Sequence, residues 1–164
     1  EAYIRPARPL VMALNTQTGV DGELIDLRIA CHPVRVLARA WLHRKLPQPL
    51  VTPASMLPTH LLDALDGKVI YDFGLSIGRQ PFAFADNYCV APSALVLAYA
   101  LAVATSGKAK RIFMAGFDGY PAGDPRNVEI ARGLEQFEVA GAIPRYISIT
   151  PTHYPIETVS AYAL

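Results

Sequence analysis

The feature that most constrains this chain is an uncharged stretch followed by a short apolar run and a glycine-rich loop. Residues 88–107 carry no charged side chain, and residues 111–115 form the apolar run. The stretch predicts a long buried helix. The run predicts a strand, because strands of parallel sheets are buried on both faces. Residues 116–120 would then follow the carboxyl end of that strand, where open α/β sheets bind ligands. This loop, with Asp118 and Tyr120, is a candidate ligand site, and a simple tight turn is the alternative.

Short apolar runs alternate with helix-length stretches along the whole chain. The predicted strands are residues 10–14, 24–31, 50–52, 68–73, 111–115 and 146–150. The predicted helices are residues 34–46, 54–65, a long helix starting within 91–93, and 125–140. This alternation requires right-handed crossovers and predicts a mostly parallel sheet. The expected fold is α/β, a three-layer Rossmann-like arrangement with helices on both faces of the sheet. We expect one domain over residues 1–164.

The helix predicted over residues 34–46 has a basic face and an apolar face. Arg35, Arg39 and His43 recur at helical spacing on the basic face. The apolar face is shared by Val34, Leu37, Ala38 and Trp41. The basic face is either an anion or partner surface or a solvated face. We expect the solvated face, with His43 exposed to water.

Local signals also mark a helix start and a long loop. Asp124 before Pro125 is typical of a helix start, with a carboxylate N-cap and proline at the first helical position. Residues 74–87 are predicted to be a loop containing Gly78 and Pro81, and loops of this length are often lids or binding loops. Its phenylalanines, at 82 and 84, are candidates for an interface.

Composition argues against several partners. The net charge of +1 provides no field to attract nucleic acid. Residues 88–107 approach the length of a bilayer span, but Pro92 and many alanines favour a buried helix, so no membrane is expected. Cys31 and Cys89 lack metal or disulfide spacing, which is typical of a reducing compartment and predicts a cytoplasmic location. The chain begins without Met, and we expect a fragment of a longer protein.

Polar residues follow the predicted strands and should meet at one edge of the sheet. The candidates for ligand binding are Asn15, Thr16, Ser93, Gly116, Asp118 and Tyr120. The helix start near Ser93 should direct free N–H groups into the same crevice, as helix N-termini do for phosphate. Doubly wound domains commonly place polar residues there, so a crevice without a ligand is the alternative.

Two histidines are candidates for an acid or base. His32 follows a predicted strand, where His-Pro also favours a turn that starts the next helix. His153 follows the strand predicted over residues 146–150. No two histidines have metal-ligand spacing, so no metal is expected. Neither GxSxG nor a phosphate-loop motif is present, which leaves nucleophilic hydrolysis unsupported.

A family resemblance rests on the segments LVMALNTQ, LIDLRIACHP, VTPASMLP, RIFMAGFDGYPAGDPRN and YISITPT. With the alanine-rich stretch, they resemble the domain appended to the C-terminus of bacterial HMG-CoA-lyase-like proteins. Those are of the 4-hydroxy-2-oxovalerate aldolase type and are associated with surface-polysaccharide genes. The chain is more distantly similar to bacterial sialyltransferases, whose Rossmann-like domain binds a CMP-activated sugar. The resemblance implies an upstream aldolase barrel as partner, a CMP-type nucleotide or sugar as ligand, and no cofactor in this chain.

The similarity to sialyltransferases also implies roles for residues. Asn15 matches an asparagine that contacts nucleotide, and Ser93 matches small hydroxyl residues near the sugar. Gly116, Asp118 and Tyr120 match the nucleotide-facing loop. The family's first strand and glycine-rich GxGxS loop have no counterpart, so the resemblance implies a chain that begins after them.

Three functional hypotheses follow. The first is a non-catalytic module that binds a nucleotide or nucleotide-sugar beside an aldolase domain. The second is a sialyltransferase-like transferase. Residues 121–145 contain no histidine where that family has its catalytic one, so His32 or His153 would be the base. The third is an assembly domain that forms a homo-oligomer through residues 34–46 and the loop phenylalanines.

Overall fold

The computed structural model describes residues 1, 3–78, 82–141 and 144–164. In these ranges the strands are β1 (Met12–Leu14), β2 (Leu27–Ile29), β3 (Leu50–Thr52), β4 (Ile70–Asp72), β5 (Gly74–Ile77), β6 (Ala83–Phe84), β7 (Tyr88–Ala91), β8 (Arg111–Met114) and β9 (Arg145–Ser148). The α-helices are α1 (Ile4–Ala7), α2 (Pro33–Ala38), α3 (Ala40–Lys45), α4 (Thr59–Ala64), α5 (Val96–Ser106) and α6 (Pro125–Val139). Short 3-10 turns lie at Gly22–Leu24, Ala54–Met56 and Ala161–Ala163.

Parallel pairing dominates the sheets. Strands β1, β2, β3 and β4 pair in that order, all in parallel. Phe73 alone separates β4 from β5, which pairs in parallel with β7, while β6 runs antiparallel to β7. Strands β8 and β9 form a further parallel pair. Helices connect β2 to β3, β3 to β4, β7 to β8 and β8 to β9, which are the crossovers that parallel strands need. The prediction of a mostly parallel, Rossmann-like α/β fold is confirmed.

Helices cover both faces of the first sheet, because successive residues of a strand point to opposite sides. Ile29 and Val51 pack into one core with buried residues of α5 and α6. Ala30 and Leu50 pack into a second core with α2, α3 and α4. Ile29 and Leu50 have no exposed surface, and each such burial contributes about 1.5–3 kcal/mol. Two apolar cores, one on each side of β2 and β3, therefore hold the three layers together.

The uncharged stretch contains a strand and a helix, so the predicted buried helix is present but shorter than predicted. Residues 88–91 form β7, which pairs with β5 on one side and β6 on the other. Helix α5 begins at Val96 and not within residues 91–93. Most of its side chains are buried, which explains why it carries no charge. None of the helices in the described ranges is both long and apolar enough to span a bilayer.

The helix predicted over residues 34–46 is interrupted at Arg39, whose φ of −121° and ψ of 13° end α2 and start α3. The predicted faces do not continue across this break. The buried side chains are Val36, Ala40 and His43. The side chains predicted to share the apolar face are exposed: Val34, Leu37, Ala38 and Trp41. The expectation that His43 is solvated is also wrong, because only 1% of the residue is exposed.

Three other predicted segments differ from the structure in the elements that they contain. Residues 24–31 contain the end of a 3-10 turn and the short strand β2. Residues 54–65 contain a 3-10 turn and then α4, with Pro58 at its N-cap. Residues 74–87 contain β5 and β6 and are not only a loop. Phe82 is buried and packs edge-on against Phe137, so it belongs to the core and not to an interface. Pro81 lies outside the described residues.

Candidate functional site

A cleft of about 660 Å³ lies at the carboxyl ends of β1 and β8. One wall consists of the end of β1 and the start of α2: Leu14, Asn15, His32 and Arg35. The other walls are residues 93–97 at the start of α5, residues 116–120, and Arg126, Glu129, Ile130 and Tyr154. The volume is in the range of small-molecule sites, about 300–1,000 Å³. The position is the one at which open α/β sheets bind ligands.

Asn15 follows β1 in a left-handed backbone conformation with φ of 57°. Asparagine tolerates this conformation better than most residues. Its N–H donates to the Ile29 carbonyl at 2.8 Å, and its own carbonyl accepts from Arg28 Nη1 at 3.2 Å. Arg28 Nε in turn donates to Gln48 Oε1 at 3.0 Å. These bonds hold the backbone of Asn15 at the position from which its side chain lines the cleft.

The loop 116–120 is held by the segment that follows β9. Thr152 Oγ1 donates to the Phe117 carbonyl at 2.6 Å, and His153 N donates to the Asp118 carbonyl at 3.1 Å. Pairing of β8 with β9 brings the two strand exits side by side. The loop is therefore anchored through its own carbonyl groups.

Two glycines give this loop its shape. Gly116 has φ of 76° and donates its N–H to Thr150 Oγ1 at 3.0 Å. Gly119 has φ of 110°, and a Cβ on it would lie 3.3 Å from Cβ and Cδ2 of His153. Other residues would be strained at Gly119 by both the backbone conformation and the contact. The loop therefore makes a tight turn and also lines the cleft.

Asn127 on α6 connects the loop to the helix, and sequence patterns did not identify it. Its Oδ1 accepts from Tyr120 N at 2.8 Å and from the Tyr154 hydroxyl at 3.1 Å. Its Nδ2 donates to the carbonyls of Tyr120 and Pro121 at 3.0 and 3.2 Å. The available sequence signal is a polar residue in the first turn of a helix, three positions after the N-cap Asp124.

The Asp118 carboxylate is free at the cleft. Asp118 is exposed and lines the cleft, and in the described part of the chain its carboxylate accepts no hydrogen bond. The loop is anchored at this residue through the Asp118 carbonyl and not through its carboxylate. The side chain is left available to a ligand.

An arginine and a tyrosine stack at the mouth of the cleft. The Arg126 guanidinium lies 3.8 Å from the centre of the Tyr120 ring. Arg126 also pairs with the Asp124 carboxylate at 2.5 Å. Hydrogen bonds from Arg126 lower the pKa of Asp124 to about 2, so this carboxylate stays ionised and keeps Arg126 in place. Asp124 accepts from Arg126 N at 2.9 Å as the N-cap of α6, which confirms that predicted helix start.

The start of α5 forms the wall opposite the loop. Leu95 at the N-cap has no side chain that accepts from the first-turn N–H groups, which have no partners within a helix. Ser93 lies just before it and donates its hydroxyl to Glu129 Oε1 at 3.0 Å. The Glu129 carboxylate of α6 therefore lies close to the start of α5 and opposes the binding of a fully charged anionic group there.

His32, His153 and Cys31 differ in their relation to the cleft. In the described part of the chain, His32 lines the cleft and His153 does not. His32 occupies the N-cap of α2 without a capping hydrogen bond from its side chain. Cys31 is buried, and burial raises the pKa of its thiol to about 12. The thiol is therefore protonated at neutral pH and is not a ready nucleophile.

A second cavity, of about 440 Å³, adjoins the cleft, and we call it the side cavity. The two share Leu14, Asn15 and Arg35. The other residues that line the side cavity are Thr16, Gln17, Ala38, Arg39 and His43. Arg35 and Arg39 are exposed, as expected for a solvated face, and they also line the side cavity.

The structure thus groups the predicted ligand-binding residues in two adjoining spaces. The cleft contains Asn15, Ser93, Gly116, Asp118 and Tyr120. Thr16 lies in the side cavity. Among the described residues, no three His, Cys, Asp or Glu side chains are arranged to hold a metal ion. Comparisons of the chain with protein families, curated proteins and solved structures found no match.

Proposed function

We propose that this domain binds a nucleotide or nucleotide-sugar in the cleft. The observation that carries the proposal is the convergence of the loop 116–120, Asn15 and the uncapped start of α5 on one space of about 660 Å³. A volume of this order accommodates a ligand of nucleotide size. The polar groups come from separate elements and point to a ligand with several hydrogen-bonding edges.

The chemistry of the walls supports a nucleoside. Tyr120 and Arg126 stack on each other and both line the cleft, and an outer face of this planar pair suits a heterocyclic base, since aromatic and guanidinium groups both stack on bases. Asn15 and the α5 N–H groups supply neutral hydrogen-bonding groups. The Asp118 carboxylate suits an amino group or sugar hydroxyl. These features favour a base and ribose in the cleft.

A transferase reaction is the second candidate, and the observation that favours it is the position of His32. A general base must approach the acceptor hydroxyl within roughly 2.6–3.2 Å, or through one water. His32 lines the cleft and its side chain makes no capping bond, so it is free to act on a bound acceptor. Association with an aldolase barrel, a role in polysaccharide synthesis and a cytoplasmic location stay predictions of the sequence.

Calorimetric titration tests the binding proposal directly. The protein is titrated with CMP, UMP, AMP, GMP and a CMP-activated sugar. We expect at least one of these to bind with one-to-one stoichiometry, and Tyr120→Leu to weaken that binding. Tyr162→Leu is the matched control, because Tyr162 is 93% exposed near the C-terminus. Absence of binding by every ligand in the wild-type protein would overturn the proposal.

A further inference from the structure

The side cavity differs from the cleft in the charges around it. Arg35 and Arg39 line it, and no carboxylate side chain is among its described lining residues. The cleft, by contrast, contains the carboxylates of Asp118 and Glu129 beside Arg35 and Arg126. An oxyanion is therefore attracted to the side cavity and meets opposing charge in the cleft.

A buried arginine adds to the positive charge of this region. Arg28 is 2% exposed and donates to Gln48 Oε1 and to the Asn15 carbonyl. In the described ranges it has no carboxylate within ion-pair distance. Buried charges are normally paired, so an unpaired guanidinium beneath Asn15 leaves a positive field at the wall that both spaces share.

His43 adds a buried polar side chain to the side cavity. It is 1% exposed and lines the side cavity. Its Nδ1 is buried and, within the described part of the chain, has no hydrogen-bond partner. Buried polar nitrogens are satisfied in most folded proteins, and an unsatisfied one requires an explanation. A polar ligand in the side cavity would lie beside this unsatisfied side chain.

We propose that the side cavity is an oxyanion subsite that holds the phosphate of the ligand, while the nucleoside lies in the cleft. This inference rests on the proposed function for the nucleoside part only. Arg39 and Arg35 bind the phosphate oxygens, and Asn15 lies at the shared wall where the phosphate joins the ribose. The same chemistry accepts free pyrophosphate, which makes the subsite testable without a nucleoside.

The experiment compares three probes by calorimetry on folded protein. The probes are inorganic pyrophosphate, cytidine and cytidine diphosphate. The variant is Arg39→Gln, because Arg39 lines the side cavity and is outside the described lining of the cleft. The matched control is Arg44→Gln, since Arg44 is an exposed arginine of α3 outside both linings. Loss of a hydrogen-bonded arginine should weaken pyrophosphate binding roughly tenfold or more.

The outcomes separate the subsite from the proposed function. Weaker pyrophosphate and diphosphate binding in Arg39→Gln, with cytidine binding unchanged, supports the subsite. Equal diphosphate affinity in wild type, Arg39→Gln and Arg44→Gln overturns the subsite and leaves nucleotide binding intact. Arginine-dependent pyrophosphate binding without affinity for any nucleoside or nucleotide supports the subsite and overturns the proposed function. Absence of binding by all three probes overturns the subsite.

Discussion

Asn127 Oδ1 accepts a hydrogen bond from the backbone N–H of Tyr120 at 2.8 Å, and Asn127 Nδ2 donates to the Tyr120 carbonyl at 3.0 Å. One amide side chain thus satisfies both backbone groups of a residue in the loop that lines the cleft. Because Asn127 lies in the first turn of α6, the loop and the helix are held as one unit. The position of Tyr120 in the cleft therefore depends on a residue outside the loop.

Replacing Asn127 with alanine should loosen this loop. The variant removes the partner of the Tyr120 N–H and carbonyl and of the Tyr154 hydroxyl. We expect a loss of about 1–3 kcal/mol in the free energy of unfolding, measured by urea denaturation. Asn87→Ala is the control, because Asn87 is exposed and its backbone carbonyl, which the substitution keeps, accepts from Gly74 N. Equal stability of the two variants would contradict the anchoring role.

Gly119→Ala should destabilise the protein more than Gly123→Ala does. Both glycines have positive φ, 110° and 83°, so alanine is strained at each. Only at Gly119 would the new Cβ also contact His153, at 3.3 Å, since nothing lies within 4 Å of a Cβ at Gly123. We expect about 1–2 kcal/mol from backbone strain in Gly123→Ala and a larger loss in Gly119→Ala. Thermal unfolding of both variants measures the difference, and equal melting temperatures would show that the contact is relieved.

Elements with local boundary signals were the ones predicted well. The strand predicted over residues 50–52 has these bounds in the structure, and prolines flank it at 49 and 53. The start of α6 was predicted at Pro125, because an N-cap carboxylate and a proline mark it. The loop 116–120 is predicted at a strand exit because its glycines directly follow a short apolar run. These signals depend on a few neighbouring residues and need no knowledge of the tertiary fold.

The sequence predictions are wrong where residues distant in the chain determine the local structure. Residues 88–91 form a strand because β5 and β6 supply partners on both sides, which the helical appearance of the stretch does not reveal. The helix is interrupted at Arg39, so His43 does not share a helical face with the residues before the interruption. His43 is buried for this reason. Asn127 and the side cavity likewise require the loop, α2 and α6 to be in position.

Asp118→Asn should affect ligand binding and leave stability nearly unchanged. The carboxylate is exposed and is free of hydrogen bonds within the described chain, so exchange for an amide should change the free energy of unfolding by less than about 0.5 kcal/mol. If Asp118 contacts the nucleoside, affinity should fall by about 1–3 kcal/mol, as for a hydrogen bond to a charged group. Asp86→Asn is the control, since Asp86 is exposed outside the cleft. Unchanged affinity would remove Asp118 from the site.

The burial of His43 should make stability depend on pH. Burial, with added repulsion from Lys68 and Arg28, lowers its pKa from 6.5 to about 4. Between these values the unfolded chain binds a proton at this position and the folded protein does not. Protonation therefore favours unfolding. The contribution is fully present above about pH 6.5 and is lost as the pH falls toward 4.

His43→Gln should flatten this dependence, because glutamine does not titrate. In the wild-type protein the free energy of unfolding should fall between pH 6.5 and 4.5 by an amount that approaches about 1.4 kcal/mol per pH unit. His60→Gln is the matched control, since His60 is exposed on α4 and its variant should keep the wild-type slope. Urea denaturation at a series of pH values measures all three slopes. A buried neutral imidazole can lower stability in acid only through its own protonation. A slope in His43→Gln as steep as in His60→Gln would therefore mean that other groups cause the loss of stability in acid.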